Sequence, residues 1–322
     1  MSLIIALEVQ LLHLALMLAA APLLLGLSRW VEGRLAGRVG APVIQPWRDL
    51  IRLAREQPVV AETASGFHEI APAIGFAMTV VVAALVPSFA LGMAAAPFAD
   101  LIVVAGLLLL ARVVLALAAI ESGTALGGLG GGRAMALTAA TEPPLLLAIF
   151  CLALLAGTSN LDAMAAVLRG GAGGARLPLV LAVIALAVVA VARSRAGEAA
   201  TPVPFGEVTM AGDALALEYS GRALALLRWG EWLRRLVWLS LLADLALPTG
   251  LADSTGTPLS WLLGLVAWAA KVGGLTLGLA LWRGANAGLG AARPERLAEV
   301  LGIGLLLVLL AAAFLFAGQG PT

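Results

Sequence analysis

The chain has 322 residues, 61% of them hydrophobic and 12% charged, with a net charge of +1 and 19 arginines against one lysine. Average soluble domains carry about twice that charge fraction, so a water-soluble globular enzyme is excluded. The single cysteine, Cys151, lies in an apolar run, and the two histidines, His13 and His68, are far apart. An internal disulfide is impossible, no CxxC exists to hold a cluster, and haem or zinc bound by this chain alone is not expected.

Apolar runs of about 18 or more residues are the mark of membrane-spanning helices. They predict a single all-α polytopic membrane domain over residues 1–322, with eight spans at 3–27, 70–92, 98–119, 134–156, 176–194, 231–248, 259–282 and 297–317. The first is too long to be a secretory signal, and it lacks a basic start and a small-residue cleavage site. One alternating set of connections (28–69, 120–133, 193–235, 283–296) holds 16 basic residues. The other set holds two, Arg169 and Arg176. By the positive-inside rule the first set faces the cytoplasm and both termini face out. Trp30, Trp229, Trp232, Trp261 and Trp282 fall near span ends, as an interfacial belt would place them.

The first cytoplasmic loop carries GRVGAPVIQPWRDLIRLARE, residues 37–56. With Pro46 at a first helical position, WRDLIRLARE can form a short helix. Arg48, Arg52 and Arg55 would share one face, and Trp47, Leu50 and Ala54 the opposite one. Such a helix lies at the interface, its arginines turned to water, phosphate or another protein. A plain basic stop beside lipid headgroups is the alternative. The second loop holds GGLGGGR at 127–133. No strand precedes it and no P-loop Lys-Ser/Thr follows, so a flexible turn between spans is expected rather than a phosphate site. In the third loop, FGEVTMAGDALALEYSGRALALLRWGEWLRRL is a second amphipathic candidate. It brings Glu207, Asp213 and Glu218 beside the membrane, ahead of Arg222, Arg228, Arg234 and Arg235.

Charge at bilayer depth costs roughly 2.5–3.5 kcal/mol on insertion scales, so it needs a partner or a task. Glu142 lies about 12 Å into its expected span, at 1.5 Å per residue, directly before Pro143-Pro144, where a kink and freed carbonyls are expected. Arg112 has a similar expected depth. The two would form either a packing ion pair or, with water, a proton-carrying site. Lys271 falls near the middle of its span, and a lysine there can titrate in a polar axis. Asp244 is placed within snorkelling range of water and reads as structural. Glu121 stands at the cytoplasmic end of the third span.

Three segments, QPWRDLIRLARE, ESGTALGGLGGGRAMALTAATEPPLLL and ALEYSGRALALLRWGEWLRRL, together resemble one family over nearly the whole chain. It is the membrane-anchor subunit shared by complex I (NADH dehydrogenase subunit 1) and the group 4 membrane-bound hydrogenases, formate hydrogenlyase and hydrogenase-4 among them. The middle segment, with Glu142-Pro143, is more similar to the hydrogenase branch. The resemblance implies a non-catalytic subunit of an oxidoreductase complex in the bacterial or archaeal cytoplasmic membrane. It would dock hydrophilic iron–sulfur and hydrogenase-like subunits and join them to antiporter-like membrane subunits. It further implies a docking floor of Arg48, Asp49, Arg52, Arg55, Arg133 and Arg222. The implied proton relay comprises Glu121, Glu142, Glu207, Asp213 and Glu218, with Arg112 and Lys271. No cofactor would be bound by this chain; iron–sulfur clusters and, in the hydrogenase case, a nickel–iron centre would sit in partner subunits.

The chain departs from the family pattern at RAGEAATPVPFGE, where the family's Arg-x-Pro-Phe-Asp-x-Pro acid falls on Ala200. A family His-Glu pair is Gly212-Asp213, and a Gly-Pro step is Gly40-Ala41-Pro42. Glu198 stands near the lost acid. These changes thin the acidic entry route and keep open a structural anchor without proton coupling. Two further alternatives are the quinone-chamber subunit of an NADH:quinone oxidoreductase and a free-standing secondary transporter. Against the transporter, no internal repeat is visible and Pro143-Pro144 has no counterpart in the later half.

Overall fold

Helix α1 (Leu3–Leu35) runs eight residues beyond the expected end of its span and takes in Arg29, Glu32 and Arg34. There follow α2 (Gln45–Arg55), α3 (Gly66–Leu85), strand β1 (Ala90–Leu91), α4 (Leu101–Glu121), α5 (Ala125–Ala156), α6 (Leu161–Arg169) and α7 (Arg176–Gly197). Then come α8 (Gly221–Ala246), strand β2 (Ala252–Asp253), α9 (Pro258–Asn286) and α10 (Gly302–Ala312). This computed structural model describes residues 3–60, 64–169, 176–197, 216, 218–253, 256–286 and 302–312. Within them the protein is an all-α polytopic membrane fold. The two strands make a two-residue parallel pair, Ala90 with Ala252 and Leu91 with Asp253.

Five described helices, α1, α3, α4, α5 and α9, are long and apolar enough to cross a bilayer, against the eight expected. Helices α7, α8 and α10 occupy the places of the other three. Among the described residues the apolar stretches of α7 and α10 are Val180–Val189 and Gly302–Ala312. Helix α8 carries Arg228, Glu231, Arg234 and Arg235 in its first half. It begins at Gly221, ten residues before the expected span, so the second half of the third-loop amphipathic candidate belongs to this long helix.

Helix α8 is the axis of the bundle. It packs against α1, α2, α3, α6, α7 and α9, and nearly every residue from Trp232 to Leu245 is buried. A helix enclosed on all sides needs apolar residues all round, and WLRRLVWLSLLADLA supplies them after its first turns. The outer helices do the reverse. Leu7, Leu11 and Leu12 of α1 and Leu259, Leu262 and Leu263 of α9 are exposed, as a lipid-facing surface requires.

The glycine-rich string is not a turn. It is the first part of α5, and the link from α4 is just Ser122–Thr124. Glycine serves close approach here: a Cβ on Gly127 would stand 2.4 Å from Ala119 O, and one on Gly131 would stand 2.6 Å from Ile120 Cγ1. Small residues let two helix backbones meet in a membrane, and that packing requirement outweighs glycine's poor helix propensity.

Proline placement explains several long-range bonds. Pro22 of α1 has no N–H, so Leu18 O lacks its helical donor, and Trp229 Nε1 donates to it at 3.2 Å. Trp47 Nε1 donates to the next carbonyl, Ala19 O, at 3.3 Å. Trp229 also packs on Trp47 and Phe76, with centroids 5.7 and 5.2 Å apart, and Trp232 is buried. These two tryptophans therefore belong to the bundle interior and not to a lipid belt. Ala83 O is in the last turn of α3, where a carbonyl has no helical donor. His13 Nε2 donates to that carbonyl at 2.7 Å, while Nδ1 meets Ser88 Oγ at 2.6 Å.

Candidate functional site

Helix α2 forms where Pro46 predicts it, and Arg48, Arg52 and Arg55 are exposed on one side. Its buried side is Pro46, Leu50 and Leu53, set against α1 and α8; Ala54, expected there, is exposed. Trp47 is half-buried and meets Trp229 edge-on. Arg48, Ile51, Arg52, Arg55 and Glu56 line an open hollow of about 420 Å³. The Arg52–Glu56 ion pair at 3.9 Å is exposed and contributes little to stability. Asp49 is half-buried and accepts from Gln45 Nε2 at 3.1 Å. Arg133 and Arg222 are exposed on α5 and at the start of α8.

Next to α2, the Glu-Tyr-Ser-Gly string leads into α8. The Ser220 hydroxyl clasps Val59, accepting from its N–H at 2.7 Å and donating to its carbonyl at 3.2 Å. Gly221 has φ +52, and a Cβ there would meet Glu56 O at 2.6 Å. Glycine is required at this point by both conformation and space. Tyr219 lies flat on His68 of α3, centroids 4.4 Å apart at 8°. His68 is buried, with Nδ1 donating to Ala118 O of α4 at 3.0 Å.

Two acids flank this stack. Glu121, the last residue of α4, accepts from Ser65 N–H at 2.9 Å through Oε1. Glu218 accepts from Thr124 Oγ1 at 2.5 Å, and Thr124 also caps α5 by accepting from Gly127 N–H at 2.9 Å. Burial pushes the Tyr219 phenol well above the usual tyrosine range, and the charges of Glu121 and Glu218 push it further. The Tyr219 hydroxyl and Glu121 Oε2 are buried with no hydrogen-bond partner among the described residues. Buried polar atoms of this kind are normally satisfied, so each has unused capacity to bond a water. The arrangement sets two carboxylates around one buried, protonated phenol.

Glu121 and Glu218 are thus brought together, far apart in sequence as they are. His68 and Tyr219 were not singled out as site residues from sequence; the one signal was that Tyr219 is the single tyrosine, set in a specific string. Glu207 and Asp213, like Glu198, Ala200 and Gly212, lie outside the described residues. Glu142 is 8% exposed, in an α5 that runs through Pro143 and Pro144 without a break. Arg112 is half-buried on α4, which packs against α5, and neither residue is without a partner. Counted from the observed start of α5, Glu142 is 17 residues in, so the shared depth with Arg112 does not follow from helix position. Lys271 is at the other end of the bundle, its Nζ donating to Leu247 O at 2.6 Å. Asp244 is 4% exposed, which corrects its placement within reach of water. Among the described residues no group of three or more His, Cys, Asp or Glu could hold a metal ion.

The fold is shared with a solved chain of the membrane-bound sulfane sulfur reductase, an archaeal respiratory membrane complex, at TM-score 0.77. That match has 20% identity and covers 95% of this chain and 99% of the other. Hydrogenase-4 component C of Escherichia coli is 30% identical over 241 residues, 74% of each chain. Formate hydrogenlyase subunit 4 of the same organism is 28% identical over 232 residues, 72% of this chain and 75% of the relative. The NADH dehydrogenase family model matches residues 7–317. With that match over nearly its whole length, the chain belongs to the NADH dehydrogenase (complex I subunit 1-like) family of membrane subunits.

Proposed function

We propose that the chain is the membrane-anchor and proton-coupling subunit of a complex I-like respiratory complex of the group 4 hydrogenase, formate hydrogenlyase-like type. The positive-inside rule puts the arginine-rich end in the cytoplasm, with both termini outside, in a bacterial or archaeal cytoplasmic membrane. There Arg48, Asp49, Arg52 and Arg55, with Arg133 and Arg222, form the floor on which a hydrophilic iron–sulfur and hydrogenase-like arm docks. Antiporter-like membrane subunits take the lipid-level contacts. Charge complementarity between floor and arm would set orientation and association rate.

The observation that carries the coupling role is the pair of acids, Glu121 and Glu218, around the buried Tyr219 hydroxyl. A change of charge in a docked redox arm alters the field at these groups, and a proton redistributes among them. From there Glu142, with Arg112, and Lys271 continue the path into the membrane, and Glu207 and Asp213 feed it. The test is Glu218→Gln in the assembled complex, since glutamine can still accept from Thr124 while its titration is gone. The expected result is intact assembly and largely preserved electron transfer, with proton translocation reduced severalfold. Full translocation in both Glu218→Gln and Glu121→Gln complexes overturns the relay.

A further inference from the structure

At the end of the bundle away from the arginine face, Asp244 of α8 is buried and polar where its surroundings are apolar. It is 4% exposed, and both carboxylate oxygens lack a hydrogen-bond partner among the described residues. It lines a small, partly open space of about 10 Å³ together with Val86, Pro87, Leu161, Ala165, Leu241 and Leu245. That volume is about the least that holds one water, and Asp244 is the polar residue of its lining.

The charged groups around Asp244 come from two packed elements. Helix α9 contributes Lys271, and α6 contributes Arg169 and Asp162. Both cations are engaged elsewhere. Lys271 Nζ donates to Leu247 O at 2.6 Å. Arg169 Nε donates to Pro248 O at 2.9 Å and its Nη2 to Leu251 O at 2.7 Å. They cap the carbonyls that follow α8, as cations at a helix C-terminus do. Asp162 accepts from Gly92 N–H at 2.5 Å; burial raises its carboxyl above the usual range, against the effect of that bond. On α1, His13 is held by Ser88 and Ala83 O, close in sequence to the Val86 and Pro87 of the cavity wall.

We propose that Asp244 is a proton-exchange site, opening on a one-water cavity between α3, α6 and α8. An ionised carboxylate needs donors and a protonated one needs an acceptor, and a single water in that space supplies either. The proton on Asp244 passes to this water and on toward the Asp162 carboxylate of α6, and it returns by the reverse step. A metal ion does not fit the chemistry, because one carboxylate faces two cations. A static ion pair does not fit either, because Lys271 and Arg169 give their N–H groups to the backbone and make no direct pair with Asp244 among the described residues. The site lies at the far end of the helix that Glu218 and Tyr219 lead into, and it stands on its own geometry.

The test uses the full chain in lipid nanodiscs, read by infrared difference spectroscopy between pH values, with the aspartate carboxyls isotope-labelled. The expected result is an aspartate carboxyl band that appears and disappears with pH, shifts in D2O and is lost in Asp244→Asn. In Lys271→Gln the same band persists and its titration midpoint moves, which keeps the test valid if Asp244→Asn fails to fold. Absence of any pH-dependent aspartate band lost with Asp244, or a midpoint unmoved by Lys271→Gln, overturns the proposal. Loss of Glu218 function leaves this band in place, so the two proposals fail separately.

Discussion

Tyr219 is the single tyrosine of the chain, so its ionisation can be followed alone by tyrosinate absorbance. Burial first, and the charges of Glu121 and Glu218 second, hold the phenol above its ordinary value of about 10. The folded state therefore holds this proton more tightly than the unfolded state does. The stabilisation is full below about pH 10 and is lost as pH rises from there toward the folded value. The native protein should show no tyrosinate signal in the range where a free tyrosine titrates, and Glu121→Gln should bring the midpoint down. A midpoint near that of free tyrosine in the folded chain would mean that the hydroxyl is open to water. None of this was legible from sequence: Glu121 and Tyr219 are 98 positions apart, and nothing in either segment states that they meet.

Helix α2 is the element whose properties were most readable beforehand. Pro46 marks its start, and the arginines fall on one face by helical periodicity alone. Its buried side was read one position off, at Ala54 rather than Leu53, because the direction of a helix's lean is set by what it rests on. With Arg48, Arg52 and Arg55 outside the hydrophobic contacts, Arg48→Glu with Arg52→Glu should release a docked soluble arm at moderate salt and leave the membrane helices folded. Co-purification of the arm with the variant would show that the docking floor lies elsewhere. The start of α5 was misread for a related reason. Glycine-rich composition reads as a turn when only local propensity is counted, yet Gly127 and Gly131 are needed for contact with Ala119 and Ile120.

At the scale of the whole molecule, Glu142 lies buried in α5 between Thr141 and two prolines whose missing N–H groups free the carbonyls of Ala139 and Ala140. Freed carbonyls can hold water beside an acid. Glu142→Gln is expected to give an assembled complex with sharply reduced proton translocation; failed assembly instead would mark Glu142 as a structural partner, and normal translocation would remove it from the path. Composition and periodicity alone established the membrane class, most helix positions and the charged end, because burial in lipid demands long apolar runs and the positive-inside bias is additive along the chain. The quoted motifs carried the family. Tertiary structure alone decided that α8 is the central axis, that His68 stacks on Tyr219 between two acids, and that Asp244 is sealed beside Lys271 and Arg169. Each of those depends on groups distant in sequence converging in space, and a carboxylate's behaviour is set by the donors and charges that surround it.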